Sequence, residues 1–67
     1  MLDLINRRII AELAENGRMP FRELGERVGL SGPAVTERVR RLERDGVITG
    51  YSATINPLAF DYQLLAI

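Results

Sequence analysis

VGLSGPAVTERVRRLERDG, residues Val28 to Gly46, is the stretch whose reading decides the fold of this chain. Val35, Val39 and Leu42 fall at i, i+4 and i+7, the spacing of one buried helical stripe. Ser31 is a good N-cap for that helix, and Gly32 and Pro33 fit its first turn, where a missing N–H does no harm. The helix should extend to about Asp45 and stop at Gly46. Around its axis Pro33, Glu37, Arg40 and Arg44 lie roughly opposite the stripe, with Thr36 and Arg41 on the two shoulders. Arg38 sits beside the stripe, so its stem is expected against the core and its head group outside. Just upstream, Gly29 ends a preceding helix where the backbone turns through positive φ, and Leu30 should point from the turn into the core.

Moving toward the N-terminus, a short helix is expected from about Pro20 to Val28, with Pro20 in its first turn and Phe21, Leu24 and Val28 on one face. Gly25 lies inside that helix, where glycine costs about 1 kcal/mol against alanine, which points to close approach by another helix. The first helix should run from about Leu4 to Asn16. Asp3 is its N-cap, and Asn6 stands where a weak capping box would close. Leu2, Ile5, Ile9 and Leu13 form its stripe, widened by Ile10 and Ala14, while Arg7, Arg8, Glu12 and Glu15 take the wet faces. Asn16-Gly17 is a strong stop.

Beyond Gly46 the period changes. Residues Val47 to Ile55 are β-branched and roughly alternating, which reads as a strand with Val47, Thr49, Tyr51, Ala53 and Ile55 on one face. Asn56-Pro57 breaks it, Leu58 to Phe60 can form one helical turn, and Tyr62 to Ile67 read as the start of another apolar strand. With no sheet to join, that last strand is either an edge awaiting a partner or the cut end of a longer protein. The fold class is therefore mainly α: a three-helix, winged-helix-like helix-turn-helix domain followed by a β-strand linker.

Composition limits the chemistry. The chain has 67 residues and no net charge, so it is one small domain and no general polyanion sponge. The charge is unevenly spread: Arg18 to Arg44 carries seven arginines against four glutamates. All nine basic residues are arginine, which suits bidentate contact with phosphate or guanine but is equally what a biased genome composition would produce. Histidine and cysteine are both absent, and there are no clustered carboxylates and no phosphate-cradling glycine loop. No catalytic constellation exists, so the chain is not expected to be an enzyme, and no cofactor or metal is expected. With no apolar run of the ~18–20 residues that span a bilayer, no membrane partner is expected and a cytoplasmic location is the default.

Two helices joined by a short glycine turn, the second basic on its outside, form a helix-turn-helix, the motif that lays its second helix in the DNA major groove. Here the likeness becomes specific. Leu2-Asp3, Asn16-Gly17-Arg18, Glu23-Leu24, Val28-Gly29-Leu30-Ser31, Arg38-Val39-Arg40-Arg41-Leu42-Glu43, Gly46-Val47-Ile48 and Gly50-Tyr51 occur in the order found in one family. In these stretches the chain resembles the N-terminal domain of the Lrp/AsnC (leucine-responsive, feast/famine) transcription regulators. The resemblance implies a DNA-binding domain over residues 1–46, with its helix-turn-helix at about Phe21 to Arg40. It implies a strand linker or hinge over 47–57, and over 58–67 the start of a C-terminal ligand-binding and dimerisation domain that is otherwise missing. It also implies a homodimer or higher even oligomer on a pseudo-palindromic double-stranded operator, and an amino-acid effector acting only through the missing domain. The chain departs from the family pattern at Asn6, where Asp is common, and at Pro20, near which Ser or Thr is common. Both changes should weaken caps without altering the fold.

The expected DNA-contacting set is Ser31, Gly32, Pro33, Thr36, Glu37, Arg38, Arg40 and Arg41. Ser31 to Pro33 lie at a helix N-terminus that suits a phosphate, although capping alone would account for them. Thr36 and Glu37 are the expected sequence readers, through a thymine methyl or base edge and through cytosine N4. Arg40 and Arg41 supply the positive grip, against the alternative of a solvated face with a Glu37–Arg41 ion pair. Arg44, Arg18 and Arg22 are weaker candidates, and Tyr51 is read as packing. The competing reading is a winged-helix-like protein-interaction module without DNA binding, which would lack the steep salt dependence of a DNA binder.

Overall fold

The computed structural model describes residues 2–59. Among these residues lie three full helices, α1 Leu4–Glu15, α2 Phe21–Val28 and α3 Gly32–Arg44. Asp3 caps α1, its Oδ1 accepting from the Asn6 N–H at 2.7 Å. The Asn6 side chain does not complete a capping box; its Oδ1 accepts from Arg38 instead. Pro20 is not in the first turn of α2 but one residue before it, as an extended N-cap without a side-chain bond. Its ring supplies no acceptor, so the start of α2 lacks the oxygen that Ser or Thr would give.

The turn between α2 and α3 is built as its residues dictate. Gly29 adopts φ +79°, the left-handed value that ends a helix without penalty only for glycine. The Leu30 N–H then donates to the Gly25 carbonyl at 2.8 Å, closing the turn back onto α2. A Cβ on Gly25 would lie 2.5 Å from the Leu30 carbonyl oxygen. Close approach therefore explains Gly25, but the neighbour is the turn backbone rather than another helix. The Ser31 Oγ accepts from the Ala34 N–H at 3.3 Å and caps α3.

The core consists of Ile9, Leu13, Met19, Leu24, Val28, Val35, Val39 and Leu42, with Leu2, Ile5, Ile10, Phe21, Leu30 and Ile48 packed around it. The stripe of α3 is buried as its spacing requires. Ala14 is exposed, so the α1 stripe is narrower than its sequence suggests, and Met19 from the α1–α2 loop joins the core. A polar clasp joins the outsides of α1 and α2. Arg8 donates to the Arg27 carbonyl at 2.6 Å, and Arg27 reaches Glu12 at 3.4 Å and Glu23 at 3.2 Å. The guanidinium of Arg8 meets the last turn of α2, where a cation opposes the helix dipole.

At the end of α3 the chain reverses through a Schellman motif. Gly46, at φ +76°, donates to the Glu43 carbonyl, and the Val47 and Ile48 N–H groups both donate to the Leu42 carbonyl. The expected strand over residues 47–55 does not form; no strand exists among the described residues. Its alternating pattern remains, but a strand needs a neighbour to receive its N–H and C=O groups, and none of the described residues offers one. Residues 57–59 are helical. The expected second strand at Tyr62 to Ile67 lies outside the described residues.

Candidate nucleic-acid interface

The exposed side of α3 is the candidate site. Its buried stripe fixes the rotation of the helix, and that rotation turns Pro33, Glu37, Arg40 and Arg44 to solvent. Arg40 and Arg44 make no ion pair with any described residue. They stand one helical turn apart, so the lower half of this face presents two uncompensated guanidinium groups. Arg41 is exposed as well, but it bonds to Glu37 at 3.2 Å, an i,i+4 pair whose side chains are 64% and 67% exposed. A pair so exposed contributes about 0–1 kcal/mol, so either partner is easily drawn to a ligand.

At the upper end, the helix start is less rich in donors than its position suggests. Pro33 has no N–H, and the Ala34 N–H is taken by Ser31. The Gly32 N–H remains the single first-turn donor without a partner among the described residues. An added Cβ at Gly32 would meet nothing within 4 Å, so nothing in the fold itself requires glycine there. Thr36 is half-buried, and its hydroxyl donates to the Gly32 carbonyl at 2.8 Å. Its proton is thus committed to the helix, so the hydroxyl can serve a ligand only as an acceptor.

Arg38 is placed apart from the rest of the expected set. Its Nη1 donates to Asp3 Oδ2 at 2.9 Å and to Asn6 Oδ1 at 3.1 Å, both on α1 or its cap. The head group is outside the core, as its position beside the stripe requires, but it is held sideways by α1 rather than projected with Arg40. The backbone bond from Asn6 and the Arg38 guanidinium together hold the Asp3 carboxyl below its usual range. Sequence reading marked Asp3 only as a cap; nothing in the local pattern reveals that its second oxygen serves a residue 35 positions away.

Tyr51 is tied to the far end of the same helix. Its hydroxyl donates to Glu43 Oε2 at 2.8 Å, and partial desolvation, followed by that carboxylate, pushes the phenol up to about 12. Tyr51 is half exposed and reaches α3 and Gly17, so the strand packing expected of it does not occur. Arg18 and Arg22 are exposed and without ion pairs among the described residues. No cluster of three metal-ligating side chains occurs among the described residues, and none of their helices is long and apolar enough to cross a membrane.

Comparison with known proteins agrees with this architecture. The model of the AsnC-type helix-turn-helix domain matches residues 2–43. The leucine-responsive regulatory protein of Escherichia coli (strain K12) is 53% identical over 64 residues, which is 96% of this chain and 39% of that protein. Its counterpart in Rhizobium meliloti (strain 1021) is 49% identical over 65 residues, 97% of this chain and 42% of the relative. A feast or famine regulatory protein from M. tuberculosis, solved in complex with L-methionine, superposes with a TM-score of 0.85 at 55% identity, covering 90% of this chain and 41% of that one. The chain spans about two fifths of the length of the curated relatives it matches.

Proposed function

The chain belongs to the AsnC-type helix-turn-helix family, and from that membership we propose that it is the DNA-binding part of a transcription regulator that lays α3 in the major groove of duplex DNA. The observation that carries this reading is the exposed face of α3, where Arg40 and Arg44 stand without acidic partners among the described residues. Gly32 and Ser31 would meet a phosphate at the helix start, with Pro33 pressed against the backbone. The Thr36 methyl and the Glu37 carboxylate would face base edges, while Arg40 and Arg41 grip phosphate or guanine. Arg41 must first leave Glu37, which frees the carboxylate to accept from a cytosine amine.

The domain boundaries follow the same reading: residues 1–46 bind DNA, 47–57 are the linker and 58–67 begin a C-terminal domain. Val47, Tyr51, Ile55 and Leu58 expose 44%, 50%, 55% and 79% of their surface, and such apolar exposure suits a segment that pairs with a second copy. Two α3 helices about 34–36 Å apart would then enter successive major grooves of a pseudo-palindromic operator. An amino-acid effector, as L-methionine is bound by the M. tuberculosis relative, would act through the C-terminal domain.

The test is fluorescence anisotropy against a duplex selected from a random library by the protein, titrated across a range of salt. Binding should weaken steeply as salt rises. Arg40→Ala should lower affinity by about tenfold or more, within the roughly 1–3 kcal/mol that a good arginine–guanine pair contributes, with an unchanged thermal melt. The absence of salt-dependent binding would favour a protein-interaction module instead, and binding that survives Arg40→Ala intact would overturn the groove-reading assignment.

A further inference from the structure

Between the start of α1 and the flank of α3 runs a groove of about 520 Å³, lined by apolar side chains such as Leu2, Leu42 and Val47 and by the charged Glu37, Arg41 and Asp45. The backbones of α1 and α3 meet less closely than either meets α2. Apolar packing anchors the lower side of α3 through Val35, Val39 and Leu42, but along this flank there is space where side chains would otherwise interlock. One group spans it: the Arg38 guanidinium, whose Nη1 is shared by Asp3 Oδ2 at 2.9 Å and Asn6 Oδ1 at 3.1 Å. The same Asp3 carboxylate caps α1 through its other oxygen, so its position is fixed by the helix it starts. Arg38 is thus referenced to the N-cap of α1, through an Asp3 side chain that is 57% exposed while its own is 33% exposed.

We propose that Arg38, Asp3 and Asn6 form a brace that sets the angle of α3 against α1, and that Arg38 is a positioning residue for DNA recognition rather than a phosphate contact. The proposal rests on the DNA-binding reading of α3 for its functional consequence, but the brace itself is a property of the free protein. Base readout depends on the helix axis, since a small rotation displaces Thr36 and Glu37 from base edges while leaving backbone contacts at hand. The brace therefore governs discrimination between sequences more than total affinity.

Two substitutions separate the roles. Asp3→Asn retains a good N-cap and removes the charge that holds Arg38. Arg38→Met keeps the apolar stem and removes the head group. Each is measured on the selected duplex and on a scrambled duplex of equal length, and the α1–α3 angle of the free protein is followed by residual dipolar couplings. The brace predicts a changed angle in both variants and a preference for the selected duplex reduced by roughly fivefold in each. It also predicts a double variant no worse than either single, as for partners in one interaction. The salt dependence of Arg38→Met should match that of the parent.

A direct phosphate contact predicts the opposite pattern. Asp3→Asn would then free Arg38 and tighten binding to both duplexes alike, and Arg38→Met would lower the salt slope by about 0.9. That result, or unchanged dipolar couplings in both variants, overturns the brace. If the parent protein binds neither duplex, the DNA-binding reading fails, and the couplings still decide whether the brace orients α3.

Discussion

Gly25→Ala tests the packing of the turn that presents α3. On an exposed helix alanine would be worth about 1 kcal/mol more than glycine. Here the added Cβ would sit 2.5 Å from the Leu30 carbonyl oxygen, with the Leu30 and Ser31 carbonyl carbons at 3.5 Å. Restoring ordinary contact requires that oxygen to retreat by close to an ångström (roughly the shortfall from a 3.4–4.0 Å contact). It cannot swing away alone, because the same residue's N–H is bonded to the Gly25 carbonyl at 2.8 Å. Overpacking of this kind costs about 1–3 kcal/mol, and loosening the turn bond adds about 1. Set against the propensity gain, the net loss is about 1–3 kcal/mol. For a domain this small each kcal/mol moves Tm by about 4–8 °C. A far-UV circular dichroism melt should therefore show a clear fall, and weaker binding to the selected duplex should accompany it. A Tm equal to or above the parent's would refute the reasoning, since the helix propensity would then have prevailed over a contact that the geometry forbids.

Gly32→Ala has open space around the new methyl and should raise stability by a few tenths to about 1 kcal/mol, while lowering affinity for the selected duplex if the backbone there approaches a phosphate; a paired melt and anisotropy titration reads both. The Asp3 carboxyl is held below its unfolded value of 3.8, so its contribution to stability is present above that pH and lost as pH falls through the folded pKa; the Tm of the parent should drop toward that of Asp3→Asn as the solution is acidified. Tyr51 shifts the other way, from 10.0 to about 12, so its contribution is complete below pH 10 and disappears between 10 and 12. A phenolate absorbance titration should find that late step, Tyr51→Phe should delete it, and Glu43→Gln should lower it only in part because the desolvation remains.

The α3 stripe could be read directly, because the rotation of an amphipathic helix is set by spacing alone, and Val35, Val39 and Leu42 are all buried. Caps and glycine turns are equally local, and Asp3, Gly29, Ser31 and Gly46 occupy the roles their chemistry suggests. What the local pattern does not reveal depends on partners distant in sequence. Val47 to Ile55 alternates like a strand, yet alternation records only which face is apolar and not whether a neighbouring strand exists. Met19 lies in a loop without a periodic pattern, so nothing marked it for the core. Arg38 carried a basic residue's ordinary signal, and only the folded chain reveals that Asp3 and Asn6 claim its head group. Thr36 and Arg41 were rightly placed on the shoulders of α3, but their hydrogen bonds to Gly32 and Glu37 restrict what each has free to offer.

The guanidinium face of α3 has a consequence for control. Arg40, Arg41 and Arg44 leave no amine on that surface, and the chain contains no lysine at all. Acylation, which silences a lysine by removing its charge, has no target here. Nor does the chain hold a histidine, whose ordinary titration falls near neutral pH. The positive charge of this face therefore rests on guanidinium groups alone, which neither acylation nor a modest change in acidity neutralises. On the proposed DNA-binding reading, the tilt and separation at which α3 meets the duplex then carry more of the control than the charge of its arginines does.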